Sequence, residues 1–186
     1  MSALTALVRL ARRFRCAERG ASAVEFALIM PMMLVIFFGT IEVSNGVAVD
    51  RKVTLTARTL SDLVSQASTV SDSDLTNCFT ASTAIMSPYS SSLVKAIISE
   101  VKVDSTGKAT IAWSKASNAT ARTVGTTVTL PTNLNVPSTY LIWSEVSYTY
   151  TPVVGYVMKT ALNLSDQFFT RPRQSTCVYY NSTSCP

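Results

Sequence analysis

With 186 residues, the chain has room for one ordinary domain and a membrane segment. Its formal net charge of +5 is gathered at one end. Five arginines (Arg9, Arg12, Arg13, Arg15 and Arg19) stand against Glu18 in residues 1–20, and the other eleven Lys/Arg and ten Asp/Glu leave the body near neutral, without the basic face that nucleic-acid binding needs. The absence of His removes the commonest general base and the commonest zinc nitrogen ligand, and with them Ser-His-Asp, Cys-His and HExxH chemistry.

Residues 1–20 read as a basic cytoplasmic leader. From Phe26 to Ile41 the chain then runs sixteen residues without a charge, between Glu25 and Glu42. Adding Ala21–Val24 brings the stretch to the ~20 residues that span a bilayer, so residues 21–43 are expected to form a transmembrane helix. Arginines before it and a balanced region after it put the amino terminus in the cytoplasm and residues 44–186 outside. A cleaved secretory signal is disfavoured, because the apolar run is long and Glu42-Val43-Ser44-Asn45 offers no small-x-small site. Pro31 removes one hydrogen bond from this helix, which membrane helices tolerate.

Beyond the apolar run the helical period persists. Val53, Ala57, Leu60, Val64 and Ala67 recur at spacings of four and three, which predicts that the helix continues outside the membrane to about residue 68. The sequence also permits a separate soluble helix joined by a kink near Asn45-Gly46. Ser71-Asp72-Ser73-Asp74 has the form of a capping box, and Leu75, Cys78, Phe79 and Met86 give a short apolar face, so a second helix is expected over 72–86, stopped by Pro88.

The remainder reads as strands. Ile97, Val101 and Val103 alternate with polar positions, Asp104-Ser105-Thr106-Gly107 makes a turn, and Ala109, Ile111 and Trp113 alternate again, predicting a hairpin of strands 96–103 and 109–115. Residues 114–138, polar and carrying Pro131 and Pro137, read as a long surface loop. In a strand over 139–151, Tyr140, Ile142, Val146, Tyr148 and Tyr150 share one face as core, with Trp143, Glu145, Ser147 and Thr149 opposite. Leu162, Leu164 and Phe168 mark a last strand over 160–170. The expected fold class is α+β: a long amino-terminal transmembrane helix running into an external domain with an antiparallel sheet of about four strands.

Carboxylate pairs are explained without catalysis: Asp72 with Asp74 by a helix cap, Asp104 with Glu100 by a hairpin. Neither an enzyme, a metal site, a cofactor nor a small-molecule substrate is expected. Three asparagines, Asn118, Asn163 and Asn181, match the glycosylation acceptor pattern, a frequent coincidence in Ser/Thr-rich chains. If residues 44–186 are exported, Cys78, Cys177 and Cys185 allow three pairings, of which Cys177–Cys185 is nearest in the chain, or three reduced thiols.

Two stretches carry a resemblance. In Arg19-Gly20-Ala21-Ser22-Ala23-Val24-Glu25-Phe26, a glycine follows a basic leader and a Glu stands five residues beyond it, which looks like the prepilin-peptidase site of type IV pilins and their relatives. More widely, residues 18–47 (ERGASAVEFALIMPMMLVIFFGTIEVSNGV) resemble the amino-terminal signature of the TadE/TadG-like proteins of the tight-adherence (Flp-type) pilus system. Glu145-Val146-Ser147-Tyr148-Thr149-Tyr150-Thr151-Pro152, followed by Arg171-Pro172-Arg173, is similar to that family's strand and terminal pattern.

The resemblance implies scission between Gly20 and Ala21. The new α-ammonium on Ala21 would lie four residues before Glu25 on one helix face, with Glu25 near the positive end of the helix dipole. In an assembled filament the family sets this Glu opposite a neighbouring subunit's amino terminus. Further implied are a minor pseudopilin of the bacterial inner membrane and periplasm, needed for pilus assembly, adherence and biofilm growth. Its partners would be a prepilin peptidase, other pilins and pseudopilins, and the pilus assembly platform. The alternative is an unprocessed membrane-anchored binding module or adhesin outside any pilus.

Overall fold

A computed structural model of the chain describes residues 18–152, 160–181 and 185. The expected basic leader lies outside the described residues up to position 17. The chain divides into two compact units, Met1–Ser44 with Pro152–Lys159 and Asn45–Thr151 with Thr160–Pro186.

Helix α1, Glu18–Ser65, is 48 residues long and has Pro31 inside it. It begins before the expected residue 21 and is helical through Asn45-Gly46. In the first unit its apolar side chains face outward: Leu28 is 75 % exposed, Met32 67 % and Phe26 62 %. This stretch is long and apolar enough to cross a membrane.

In the second unit α1 reverses character. Val49, Val53, Ala57, Leu60 and Val64 are all fully buried, the predicted stripe begun one turn earlier and ended at Val64, since Ala67 lies past the helix and is half-buried. Thr56, Ser61 and Ser65 are equally buried beside them. These small hydroxyl residues bring the helix backbone close to the sheet. Ser144 donates its hydroxyl to the Ala57 carbonyl at 2.7 Å, and the Ser61 and Thr170 hydroxyls share a hydrogen bond at 2.6 Å.

The helix ends at Ser65 rather than near residue 68, because the next residues join a strand. Thr69–Val70 (β1) pairs in parallel with Tyr179–Tyr180 (β7). Helix α2, Asp72–Thr83, opens with the expected capping box, Ser71 and Asp74 each satisfying the other's main-chain N–H. It buries Leu75 and Phe79 and passes into a short turn of 3-10 helix, Ala84–Met86, with Met86 buried.

Among the described residues the main sheet has five strands, in the order β4-β3-β2-β5-β6 and antiparallel throughout, where about four were expected. They are β2 Val94–Val103, β3 Ala109–Ser117, β4 Thr127–Val128, β5 Thr139–Tyr150 and β6 Leu162–Thr170. The extra strand comes from the polar stretch read as a surface loop. Gly125, at φ +80°, turns the chain back so that the Gly125 N–H reaches the Ile111 carbonyl at 2.8 Å and the Ile111 N–H reaches Thr126 at 3.0 Å. Val128, Leu130 and Leu134 then cover a second core of Val101, Val103, Ile111, Leu141 and Trp143.

The hairpin contains an irregularity that alternation does not reveal. Glu100 pairs with Trp113 and Val101 with Ile111, so β3 carries one extra residue, Ala112. The bulge separates two side chains that strict alternation would keep together. Ile111 joins the second core, whereas Trp113 pairs with Glu100 and its indole N–H donates to the Val178 carbonyl at 2.9 Å. On β5 Ile142, Val146, Tyr148 and Tyr150 are buried as expected and Ser144 on the same face meets α1, but Tyr140 is only half-buried, and on the opposite face Trp143 is buried in the second core.

Burying a Leu side chain contributes roughly 1.5–3 kcal/mol, and truncating one inside a packed core costs roughly 2–5 kcal/mol. Leu60→Ala should therefore destabilise the protein by about 2–5 kcal/mol in urea unfolding of the full chain in detergent micelles. Leu55→Ala, on the 49 % exposed side of the same helix, should cost within about 0.5 kcal/mol.

Candidate functional site

The sequence-derived site residues Gly20, Ala21, Glu25 and Phe26 all lie on the first turns of α1 and are exposed. Nothing lies within 4 Å of the position a Cβ would take at Gly20. Ala21 and Glu25 stand one turn apart, at the spacing that puts both on one face. Glu42, the acidic residue at the far end of the apolar run, contrasts with Glu25 in being only 2 % exposed.

The other candidate groups are dispersed. Asp104 binds its own hairpin, accepting from the Thr106 hydroxyl at 2.6 Å, the Lys108 N–H at 2.9 Å and the Thr106 N–H at 2.8 Å, and these bonds, the hydroxyl first, hold its carboxyl below the usual range. Asp74 is occupied by its cap. Asp72 accepts from Tyr180 at 2.7 Å and pairs with Lys115 at 2.9 Å; Lys115 first and Tyr180 second lower its carboxyl. Among the described residues no three Cys, Asp or Glu side chains converge as metal ligands would.

Glu145, in the second stretch of the resemblance, receives Arg122 in two hydrogen bonds of 2.6 and 2.7 Å. The guanidinium lies 4.0 Å from the centre of the Trp143 ring, which stacks on Phe169 at 5.4 Å. Its far end is also structural: the Arg173 guanidinium pairs with Asp62, and its N–H donates to the Ser65 carbonyl at 2.9 Å. An open groove of about 510 Å³ on the outer face of β5 is lined in part by Lys95, Glu145, Ser147, Ser165 and Asp166.

Cys177 and Cys185 are joined as a disulfide, and Cys78 is free and half-buried on α2, its thiol raised by burial first and by Asp74 second.

Sequence reasoning missed one group. Glu100, read as part of a solvated hairpin, is 0 % exposed at the centre of the sheet. The signal was a single carboxylate amid the apolar positions of Val94–Val103 on a strand flanked by two others.

Residues 20–61 match the family model described as TadE-like protein. The match covers the exposed apolar half of α1 and the buried stripe as far as Ser61, and bears out the resemblance read from residues 18–47. No curated protein and no solved structure matches the chain. The segment thus fits a component associated with the Tad pilus system, with one apolar helix near the amino terminus suited to a single-pass anchor.

Alkylating the intact protein without reductant should modify Cys78 on unfolding and leave Cys177 and Cys185 unmodified until a reductant is added, as read by peptide mass spectrometry.

Proposed function

We propose, for a chain whose amino-terminal segment is TadE-like, that it is a minor pseudopilin required to assemble Flp-type tight-adherence pili, and so for adherence and biofilm growth. The observation that supports this best is the single helix Glu18–Ser65, matched over residues 20–61, exposing apolar side chains in its first half and burying an apolar stripe in its second. A helix of that kind keeps one half in lipid or in a filament of like helices, while the other half carries a folded domain.

In this reading a prepilin peptidase cuts between Gly20 and Ala21 at the inner membrane, the amino terminus starts in the cytoplasm, and the domain lies outside. Glu25 then has an assembly role. A carboxylate near the start of an apolar helix costs a few kcal/mol at the bilayer centre, and a neighbouring subunit's new α-ammonium offsets it. The partners are the peptidase, other pilins and pseudopilins, and the assembly platform. The role is not catalytic.

Deleting the chain in its host should abolish surface pili in electron micrographs and lower surface attachment. Complementing with the wild-type chain should restore both, whereas Glu25→Ala should not, although the variant reaches the membrane at normal levels. Unchanged piliation in the deletion strain would leave only a tethered external module.

A further inference from the structure

The C-terminal segment from Arg171 to Asn181 forms a strap across the second unit, held at both ends. At one end Arg173 is bonded to Asp62 and to the Ser65 carbonyl. At the other, the Tyr179 N–H donates to Ser68 at 2.9 Å, the Asn181 N–H donates to Val70 at 3.1 Å, and the Tyr180 hydroxyl donates to Asp72. Between them Cys177 and Val178 are fully buried.

The middle of the strap rests on Glu100. The Val178 N–H donates to Glu100 Oε1 at 2.6 Å, and the Val178 carbonyl accepts from the Trp113 indole. The second carboxylate oxygen, Oε2, is buried with no hydrogen-bond partner among the described residues.

Several charged groups on the surrounding elements are engaged elsewhere, and among the described residues no ion pair reaches Glu100. Asp62 of α1 holds Arg173 of the strap; Asp72 of α2 holds Lys115 of β3 and Tyr180 of the strap; Glu145 of β5 holds Arg122. Arg58 of α1 lies over Phe168, and Lys102, on the same strand as Glu100, lies over Tyr140. None of these supplies Glu100 with a cation. An ionised carboxylate in that position is poorly compensated, and a neutral carboxyl is tolerated far better.

We propose that Glu100 and the Val178 main chain form a proton-controlled latch: the strap stays closed while the Glu100 carboxyl keeps its proton, and its hold weakens when the proton leaves. Burial drives this carboxyl up to about 7, against the smaller opposing pulls of the Val178 N–H and the Trp113 indole. Because the closed state raises the proton affinity above that of an exposed Glu, the stability it contributes is full below the ordinary carboxylate range. It declines as pH rises and is lost once pH has passed through about 7. Opening would uncover the main-chain groups of Ser68 and Val70 that the strap now occupies.

Hydrogen–deuterium exchange of the full chain in detergent micelles tests the latch, read on the peptide containing Val178 to Asn181 and divided by the intrinsic exchange rate. Linkage to one proton limits the change to about tenfold per pH unit, so the wild-type opening constant should rise on the order of tenfold or more from about pH 5 to about pH 7, then level off. Glu100→Gln, nearly the same shape without the charge, should flatten the profile. A flat wild-type profile overturns the proposal, as does a slope that survives in Glu100→Gln. If that variant does not fold, carboxyl-carbon NMR of the wild-type protein decides: a Glu titrating near 7 supports the latch, and titration of every Glu below about 5 overturns it.

Discussion

The second unit is built round one packed seam, where the buried stripe Val49, Val53, Ala57, Leu60 and Val64 of α1 is tied to the sheet by Ser144 of β5 and Thr170 of β6. A half-buried sheet must cover its apolar face, and a long helix with a narrow apolar stripe is the cover the sequence supplies. The buried hydroxyls at the seam answer a second demand. Thr56, Ser61 and Ser65 are small enough for close approach, and Ser61 finds a partner across the seam in Thr170, so their burial leaves fewer groups without hydrogen bonds.

The same helix meets a different requirement before Asn45. There most apolar side chains are exposed, which water disfavours and lipid or neighbouring helices accept. One continuous element thus carries two surfaces suited to two surroundings. The TadE-like match spans the change from one to the other, ending within the buried stripe at residue 61.

Periodicity made the helix and most of the sheet legible. Sixteen uncharged residues and a stripe at spacings of four and three are long, regular signals, and Val53 through Val64 are buried as their spacing requires. The alternating Tyr positions of β5 were legible for the same reason. What escaped was either short or non-local. The two-residue strand β4 lies in a stretch whose apolar residues, Val128, Leu130 and Leu134, are too scattered to show a period, and only the fold of the loop gathers them. Ala112 bulges out of a pattern that looks regular on paper. Glu100 looked like a surface residue beside a turn because nothing local reveals that Val178, far along the chain, closes over it. At the amino terminus, the resemblance rather than any packing marked Gly20, Ala21 and Glu25, which are all exposed on α1.

In the function proposed above, α1 becomes a filament-type helix once residues 1–20 are cut away. The most direct measurement is the amino-terminal residue of the protein purified from membranes of a host with an active prepilin peptidase, compared with the same host lacking it. A chain beginning at Ala21 only when the peptidase is present is the predicted result. A chain retaining its arginine-rich leader in both hosts would contradict it.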